Sequence, residues 1–548
     1  MIKLFRKYGI PKTPEQRKEI MKQILLASAG GILLGLSYPP IPLPFLAFFA
    51  FIPFFFVLEK RESLASINRI SYVFLFFFCL ITIYWVGSWT KEADPFLMIS
   101  GGLLIFANPG FYLIATSVYY LSTKIFSKRT SLFLFPLYWV FFEYIYSLTD
   151  LKFPWLTLGN SLAYFNQFIQ IADIVGAHGL TLIIIYINVF LFLSIKEISI
   201  TKKVNQKFLF AAISLFVIPL IYGGYKTATY EVPSKQIKVG LIQPDVNPWD
   251  KWSGGSITSQ LEKYFELSEN AINKGARIIF WPETALPCYL LSGNYSFEVE
   301  RIHQFVDKNK IALITGMPDI NFFYNIKTAP KGAKLLRSGD AAYTSFNSIL
   351  TFLPNTRQIQ KYQKNQLVPF GEKVPFVEDL PFLGEFIKWQ VGISSWNVGT
   401  TQNVSNLGYI KVGAVVCIES IYPEYITKLV NNGAEFLSVV TNDSWYGYSS
   451  GPFQHKEISV LRAIENRRSV VRTANGGISC IIDPMGRTLA STKLFTQDIL
   501  VGYVPISNEK TFYSKFPLVI PLTAVFVSLL TILLAIYKSI LKLIKKKS

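Results

Sequence analysis

Lys411-Val412-Gly413-Ala414-Val415-Val416-Cys417-Ile418-Glu419-Ser420 is the stretch on which the fold turns. Its apolar, partly β-branched run predicts a buried strand over 410–418, and an amphipathic helical pattern comes next over about 421–432. A strand that closes on a cysteine and hands on to a helix belongs to a layered α/β domain, where ligand sites commonly lie beyond strand ends. A thiolate at Cys417 would gain from the amino end of that helix, whose partial positive charge lowers a thiol pKa. The alternative is an inert buried cysteine, which is the preferred reading of Cys79 and Cys480.

Outward from this stretch the same alternation recurs. Strands are predicted at 237–243, 276–281, 311–316, 344–352, 436–441, 470–472, 478–482 and 499–504, with helices at about 257–274, 297–309 and 454–467. The block shows no internal repeat and reads as one domain. Two further segments carry chemistry. Ile278-Ile279-Phe280-Trp281-Pro282-Glu283-Thr284-Ala285 is a buried strand that presents Glu283 at its end, where burial would raise the carboxyl pKa and suit it to general-base work. Lys361-Tyr362-Gln363-Lys364-Asn365-Gln366-Leu367-Val368-Pro369-Phe370-Gly371-Glu372 sets Lys364 ahead of a Pro/Gly turn, and a positioned ammonium stabilises charge developing on an acyl oxygen. Taken singly, a loop glutamate and a solvated lysine are the alternatives.

The flanks are of another kind. Across 548 residues, 51% are hydrophobic and 16% aromatic, too apolar for a soluble enzyme, and the long apolar runs fall before about residue 226 or after about 513. Eight spans are predicted, at roughly 22–38, 43–59, 69–89, 97–122, 131–148, 174–195, 208–226 and 514–538; the first two, with Gly30, Gly31, Gly35, Pro44 and Pro53, have the least defined ends. The domains are then 1–228 as a seven-helix membrane part, 229–510 as the catalytic domain, and 511–548 as an eighth span with a basic tail. Lys/Arg cluster in alternate loops, which places both termini in the cytoplasm and the 229–510 block on the outer, periplasmic side of a bacterial inner membrane. The first apolar run lacks a cleavage site of the signal-peptide kind and is read as a retained anchor. The net charge of +19 is explained by these loops facing anionic headgroups, and no basic element with interleaved stacking aromatics argues for nucleic acid. Four cysteines without a CxxC and three histidines argue against a disulfide framework and against a metal site. Glu143 lies within the fifth span and is read as sitting near the interface, while Asp173 and His178 are read as lying near the outer surface, where they could orient lipid headgroups.

Together the Trp-Pro-Glu, Lys-to-Val-Pro-Phe-Gly-Glu and Cys-Ile-Glu segments resemble the nitrilase superfamily, which shares an αββα sandwich and a Glu, Lys, Cys catalytic set in that chain order. The frame of spans narrows the resemblance to its membrane-embedded branch, the apolipoprotein N-acyltransferases. Thr441-Asn442-Asp443-Ser444-Trp445-Tyr446-Gly447, Pro452-Phe453-Gln454-His455, Arg462-Ala463-Ile464-Glu465-Asn466-Arg467-Arg468 and Thr473-Ala474-Asn475-Gly476-Gly477-Ile478-Ser479 look like that family's carboxy-terminal stretches, and Ile169-Gln170-Ile171-Ala172-Asp173 with Gly176, Gly179 and Leu180 is similar to its membrane part.

The resemblance implies Cys417 as nucleophile, Glu283 as general base and Lys364 as stabiliser of the tetrahedral intermediate. It implies supporting roles for Glu372 and Glu419 and a place near the site for Trp252, with Trp249 close enough to compete for that alignment. Many relatives carry Tyr where this chain has Ile418, which removes any role for a phenol there. The implied reaction moves a fatty acyl group from a phospholipid, through a cysteine thioester, to the α-amino group of a diacylglyceryl-cysteine at the start of an apolipoprotein, within membrane lipids and as a monomer. Thioester to amide is downhill, so no cofactor is expected, and the chain has no phosphate-cradling GxxxxGK[ST] loop. The apolar stretch from Val374 to Trp389 is read as dipping into the lipid interface, with Phe382, Phe386 and Trp389 gating substrate access; packing into the domain's own core is the alternative. A membrane-anchored nitrilase-like amidase would use the same trio, but one helix would suffice to anchor it. A transporter with an outer domain would need more ionisable residues within its spans than Glu143, Asp173 and His178.

Overall fold

The computed structural model describes residues 13–89, 95–252, 256–376 and 396–547. The expected gate residues Phe382, Phe386 and Trp389 lie outside the described residues.

The apolar runs of the first part fold as helices α1 (Pro14–Leu36), α2 (Phe51–Leu58), α3 (Leu64–Ile83), α4 (Pro95–Thr123), α5 (Lys128–Ser147), α6 (Ala172–Thr201) and α7 (Gln206–Ala228). Side-chain oxygens of Thr13, Ser63, Ser127 and Asn205 accept from the free amides at the starts of α1, α3, α5 and α7, so four of these boundaries are set by capping chemistry. Among the described residues, six helical stretches are long and apolar enough to cross a membrane: 14–36, 64–87, 97–123, 172–201, 206–228 and, near the carboxy end, 519–545. The other two expected spans are also helical. The second is a short turn at Pro44–Phe48 followed by α2, which covers only 8 residues, and α5 runs for 20 residues from the basic pair Lys128-Arg129.

The middle of the chain forms α8 (Ile257–Asn273), α9 (Ser296–Asn309), α10 (Pro423–Asn431) and α11 (Ser450–Asn466) on two sheets. Its strands are β1 (Gln236–Gln243), β2 (Ile278–Trp281), β3 (Ala312–Phe323), β4 (Lys334–Leu335), β5 (Ala342–Phe352), β6 (Gln360–Gln363), β7 (Ser405–Asn406), β8 (Lys411–Val416), β9 (Phe436–Thr441), β10 (Val470–Ala474), β11 (Cys480–Ile482), β12 (Thr488–Ser491) and β13 (Asp498–Pro505). One sheet runs β13-β1-β2-β3-β5-β4 with β6 on β5, and the other β12-β11-β10-β9-β8-β7. Val239, Leu241, Phe280 and Ile314 of the first sheet meet Val412, Val416, Phe436 and Val471 of the second in a shared buried layer. Alternate residues of the first sheet, Trp281 and Leu313 among them, turn to the other face and pack with Leu261 of α8 and Phe305 of α9. The expected αββα sandwich is therefore present. The strand edges differ from the expectation mainly at β3, which continues to Phe323 in an antiparallel hairpin with β5, and at the short edge strands β4, β6, β7 and β12, whose polar residues give no alternation to read.

The outer helical layer of the second sheet does not face water. Val415, Ile418, Leu429, Leu437, Leu461 and Ile464 share one apolar core with the membrane helices, including Trp85, Trp139 and Leu156. Polar ties cross the same seam. Asp173 accepts from Arg467 Nη2 at 2.7 Å and from Tyr222 at 2.8 Å, with both members of the ion pair almost wholly buried. Leaving either partner of such a pair alone costs roughly 3–5 kcal/mol, so the pair fixes how the two parts sit. Gly176 takes φ +64° and breaks the start of α6; a Cβ there would lie 2.2 Å from the Tyr513 ring. The break frees the Ala177 amide, which donates to Glu465 of α11 at 2.9 Å. The last helix, α12 (Val519–Lys547), returns along α5 and α4.

Three ionisable groups of the membrane part are enclosed by protein. Glu143 is 3% exposed and accepts from Trp139 Nε1, the Leu158 amide and the Thr181 hydroxyl. Asp173 and His178 are likewise buried, Asp173 against Arg467 and Tyr222 and His178 with its Nδ1 3.2 Å from Glu424, so their side chains are occupied by protein partners. A carboxylate that far from water is retained only where donors converge on it, and the sequence does not show where folding will bring donors from distant loops.

Candidate active site

Glu283, Lys364 and Cys417 come from three strand ends and line one cavity of about 120 Å³. Glu283 stands two residues past the end of β2, after Pro282, and Gly316 on the neighbouring strand lets the chain pass close: a Cβ at Gly316 would lie 2.6 Å from Glu283 Cα. Lys364 stands directly after β6, its amide donating to the Asn347 carbonyl at 2.9 Å. Cys417 opens a five-residue 3-10 turn at the end of β8 and is held at φ +49°.

The polar groups are tied as one set. Lys364 Nζ, 1% exposed, lies 2.8 Å from Glu372 and 3.6 Å from Glu283. Asn347 on β5 donates from Nδ2 to both carboxylates, at 2.7 Å to Glu283 and 3.0 Å to Glu372. Glu372 also accepts from the Val368 amide at 2.9 Å. Glu419 is fully buried and accepts from the Asn365, Gln366 and Val416 amides and from the Tyr362 hydroxyl at 2.6 Å, which fastens the lysine loop to the cysteine turn. The supporting positions implied for Glu372 and Glu419 are thus brought to the site. Trp252 lines the cavity and so does Trp249, which packs edge-on against Trp445 at 4.9 Å. Ile418 is buried in the core shared with the membrane helices, so the place of a phenol is taken by an aliphatic side chain.

Burial dominates the electrostatics. It pushes the Glu283 carboxyl up, opposed by Lys364 and reinforced by Glu372. It pushes the Cys417 thiol well above its ordinary range, with Glu283 adding to the effect and Lys364 opposing it. The expected lowering of this thiol by a helix amino end is overturned: the chain leaves Cys417 in a short 3-10 turn, too small a dipole to offset desolvation. Burial alone would also discharge Lys364, but Glu372 and Glu283 outweigh it and hold the ammonium above its ordinary range. The resting site therefore holds a neutral thiol beside a carboxyl of raised pKa and a fixed ammonium. That arrangement suits proton removal during attack rather than a standing thiolate.

Sequence reasoning assigned no place at the site to Asn347 or Trp396, nor to Thr284, Asn442, Trp445 and Tyr446 within the motifs it singled out, and all six line the cavity. A buried asparagine at the centre of β5 was the available signal, since an unpartnered amide inside a sheet is costly. It also missed Lys251, 3% exposed, whose Nζ is 3.5 Å from the Glu283 carbonyl and whose pKa burial pushes down to about 8 against the pull of Glu283. Behind Cys417 stand Asp443 and His455, and the donor atoms of the three lie within 4.8 Å of one another, a spacing a metal ion would accept. The guanidinium of Arg472 sits against Asp443 and 3.0 Å from His455 Nδ1, so a cation already compensates this cluster. It reads as an ion network, not a metal site.

The amino-terminal region, residues 30–190, matches the family described as apolipoprotein N-acyltransferase N-terminal domain, and residues 238–511 match the carbon-nitrogen hydrolase family. Apolipoprotein N-acyltransferase of Chlorobaculum tepidum is 32% identical, over 92% of this chain and 94% of that one. The protein of the same name from Geobacter metallireducens is 30% identical over 90% and 92%. Among solved structures, a branch 10 member of the nitrilase superfamily from Saccharomyces cerevisiae aligns with a TM-score of 0.36 at 17% identity, covering 50% of this chain and 92% of that one. With the αββα sandwich set on a bundle of apolar helices and these relatives matched along nearly its whole length, the chain belongs to the apolipoprotein N-acyltransferase family and is a membrane acyltransferase.

Proposed function

We propose that the protein transfers a fatty acyl group from a phospholipid to the α-amino group of a diacylglyceryl-cysteine at the start of an apolipoprotein, through a thioester on Cys417. The observation that carries this reading is the convergence of Glu283, Lys364 and Cys417 on one cavity whose walls are continuous with the membrane helices. As the Cys417 sulfur attacks the ester carbonyl, Glu283 takes its proton and Lys364 faces the oxygen that becomes negative. The C–O bond breaks, and the lysophospholipid alkoxide leaves with the proton that Glu283 returns. The acceptor amine then attacks the thioester, Glu283 takes a proton from its nitrogen, and the C–S bond breaks to give the amide and the free thiol. Asn347 and Glu372 keep Glu283 and Lys364 in register throughout.

A bacterial inner-membrane location is proposed on the same grounds, with the catalytic domain on the periplasmic side, both termini in the cytoplasm and a monomeric state. Eight spans fit the alternation of basic loops. An amidase delivering the acyl group to water would use the same trio, but the apolar seam and the buried Asp173–Arg467 pair favour a site built into the membrane. The deciding experiment is intact mass of wild type and Cys417→Ser after incubation with phospholipid. A hydroxylamine-labile acyl adduct on wild type alone, discharged to amide by a diacylglyceryl peptide, is the expected result. Absence of any adduct, with ammonia released from small amides, would establish the amidase instead.

This reading has two further consequences. Because Glu372 reinforces the upward shift of Glu283 and also competes for Lys364, Glu372→Gln should move the acid limb of kcat/KM to lower pH. In wild type that limb should lie above the ordinary carboxylate range, since Glu283 must be ionised to accept the proton; a limb unmoved by the substitution would assign it to another group. The gate formed by Phe382, Phe386 and Trp389 is also proposed. Replacing all three with Ser should slow transfer from membrane-embedded phospholipid by roughly tenfold, the value of one large apolar contact. Unchanged activity would remove the gate.

A further inference from the structure

Cys417 is a non-glycine residue at φ +49°, a strained backbone conformation that persists only where the surroundings over-determine it. Both sides of the residue are pinned. On the near side the Val416 amide donates to Glu419 at 2.9 Å. On the far side two groups meet the Cys417 carbonyl oxygen: Ser420 Oγ at 2.8 Å and His455 Nε2 at 3.1 Å. The peptide unit is planar, so donors on its oxygen also aim the Ile418 N–H on its opposite edge and set the direction from which Sγ leaves the backbone.

His455 has no freedom of its own. Its Nδ1 accepts from Arg472 Nη2 at 3.0 Å, which puts the ring proton on Nε2, the nitrogen facing the Cys417 carbonyl; Asp443 Oδ1, 2.9 Å from the same Nδ1, belongs to an aspartate held by that guanidinium and by the Thr441 hydroxyl at 3.1 Å. Its ring packs on the Trp155 ring at 5.3 Å. The adjacent Gln454 faces the membrane part: its side-chain oxygen accepts from Trp155 Nε1 at 2.7 Å and Trp85 Nε1 at 3.1 Å, and its amide donates to the Thr82 carbonyl at 3.1 Å. Consecutive residues of α11 therefore join the membrane helices to the backbone of the nucleophile. His455 itself does not line the catalytic cavity, and the acyl-transfer steps leave it without a proton to move.

We propose that His455, held by the Arg472–Asp443 pair, is a positioning residue that sets the Cys417 turn for thioester formation. The proposal rests on the reading of Cys417 as acyl carrier. It acts through geometry: with the carbonyl released, the left-handed turn relaxes and Sγ leaves its line of attack. A misplacement of about 1 Å at a reacting atom costs on the order of 10²-fold in rate.

The test compares His455→Leu, His455→Gln and His455→Asn in the full-length protein with phospholipid vesicles. Gln can carry an amide N–H to about the place of Nε2, whereas Asn is one methylene shorter and Leu has no donor. Single-turnover acylation of Cys417, monitored by intact mass, should slow about 10²-fold in the Leu and Asn variants with KM for phospholipid little changed, and Gln should recover to within about tenfold of wild type. Acylation by His455→Leu at the wild-type rate would overturn the proposal, as would Gln and Asn variants that are equally slow. If the Leu variant does not fold, the Gln and Asn pair decides alone. Alkylation of Cys417 by iodoacetamide needs no acyl donor and separates the two readings. A wild type that alkylates normally but never acylates would sink the acyl-carrier role, and the order of alkylation rates among the variants would still judge His455.

Discussion

Cys417→Ala should abolish acyl transfer, with the rate falling by about 10⁴-fold or more, as removal of a nucleophile does elsewhere. On the proposed route the acyl group passes through the C–S bond of a Cys417 thioester. Lys364 offers no substitute nucleophile, because it is held as an ammonium by two carboxylates. The variant should show no hydroxylamine-labile mass and should melt close to wild type, since the turn is pinned mainly through the backbone atoms of Val416 and Cys417. Residual turnover within tenfold of wild type would mean that the amine attacks the phospholipid ester directly.

Lys364→Met should lower kcat by about 10²–10³-fold, the usual value of one fixed donor at a developing oxyanion. Unlike the first variant, it should also destabilise the fold. Glu283 and Glu372 are both buried and share this ammonium, and an uncompensated buried charge costs roughly 3–5 kcal/mol. Glu283 sets the sign of the pH dependence. Without Lys364, which opposes the upward shift of this carboxyl, its folded-state pKa rises further, so protonation favours the folded variant. The deficit in melting temperature should be full above that raised pKa and shrink as pH falls through it. In wild type the raised pKa of Lys364 contributes stability that is present at neutral pH and lost only as pH climbs past the ordinary lysine range. A constant deficit across pH would show that Met fails by packing and not by charge.

Much of the site was legible because its residues sit at ends of apolar strands, and strand ends are visible as a change of period. Glu283 after Ile278–Trp281 and Cys417 after Lys411–Val416 are read directly from that change. Lys364 needed the resemblance, since β6 is only four residues of mixed polarity. Asn347, Lys251 and His455 gave no such mark. Each is a polar residue inside a regular element or beside a loop, and its role depends on what lies across a sheet or a domain seam.

The order of apolar and mixed segments by itself determined the division into a helical membrane part and a layered α/β domain, because hydrophobic periodicity is a local property that folding must satisfy. Only the tertiary structure decided the electrostatics. Glu143 and Asp173 became buried, donor-filled groups when distant segments closed over them. The Cys417 thiol was pushed up by desolvation where the local helix signal pointed down, because burial is a sum over neighbours from the whole chain and a terminal dipole is the property of one short turn.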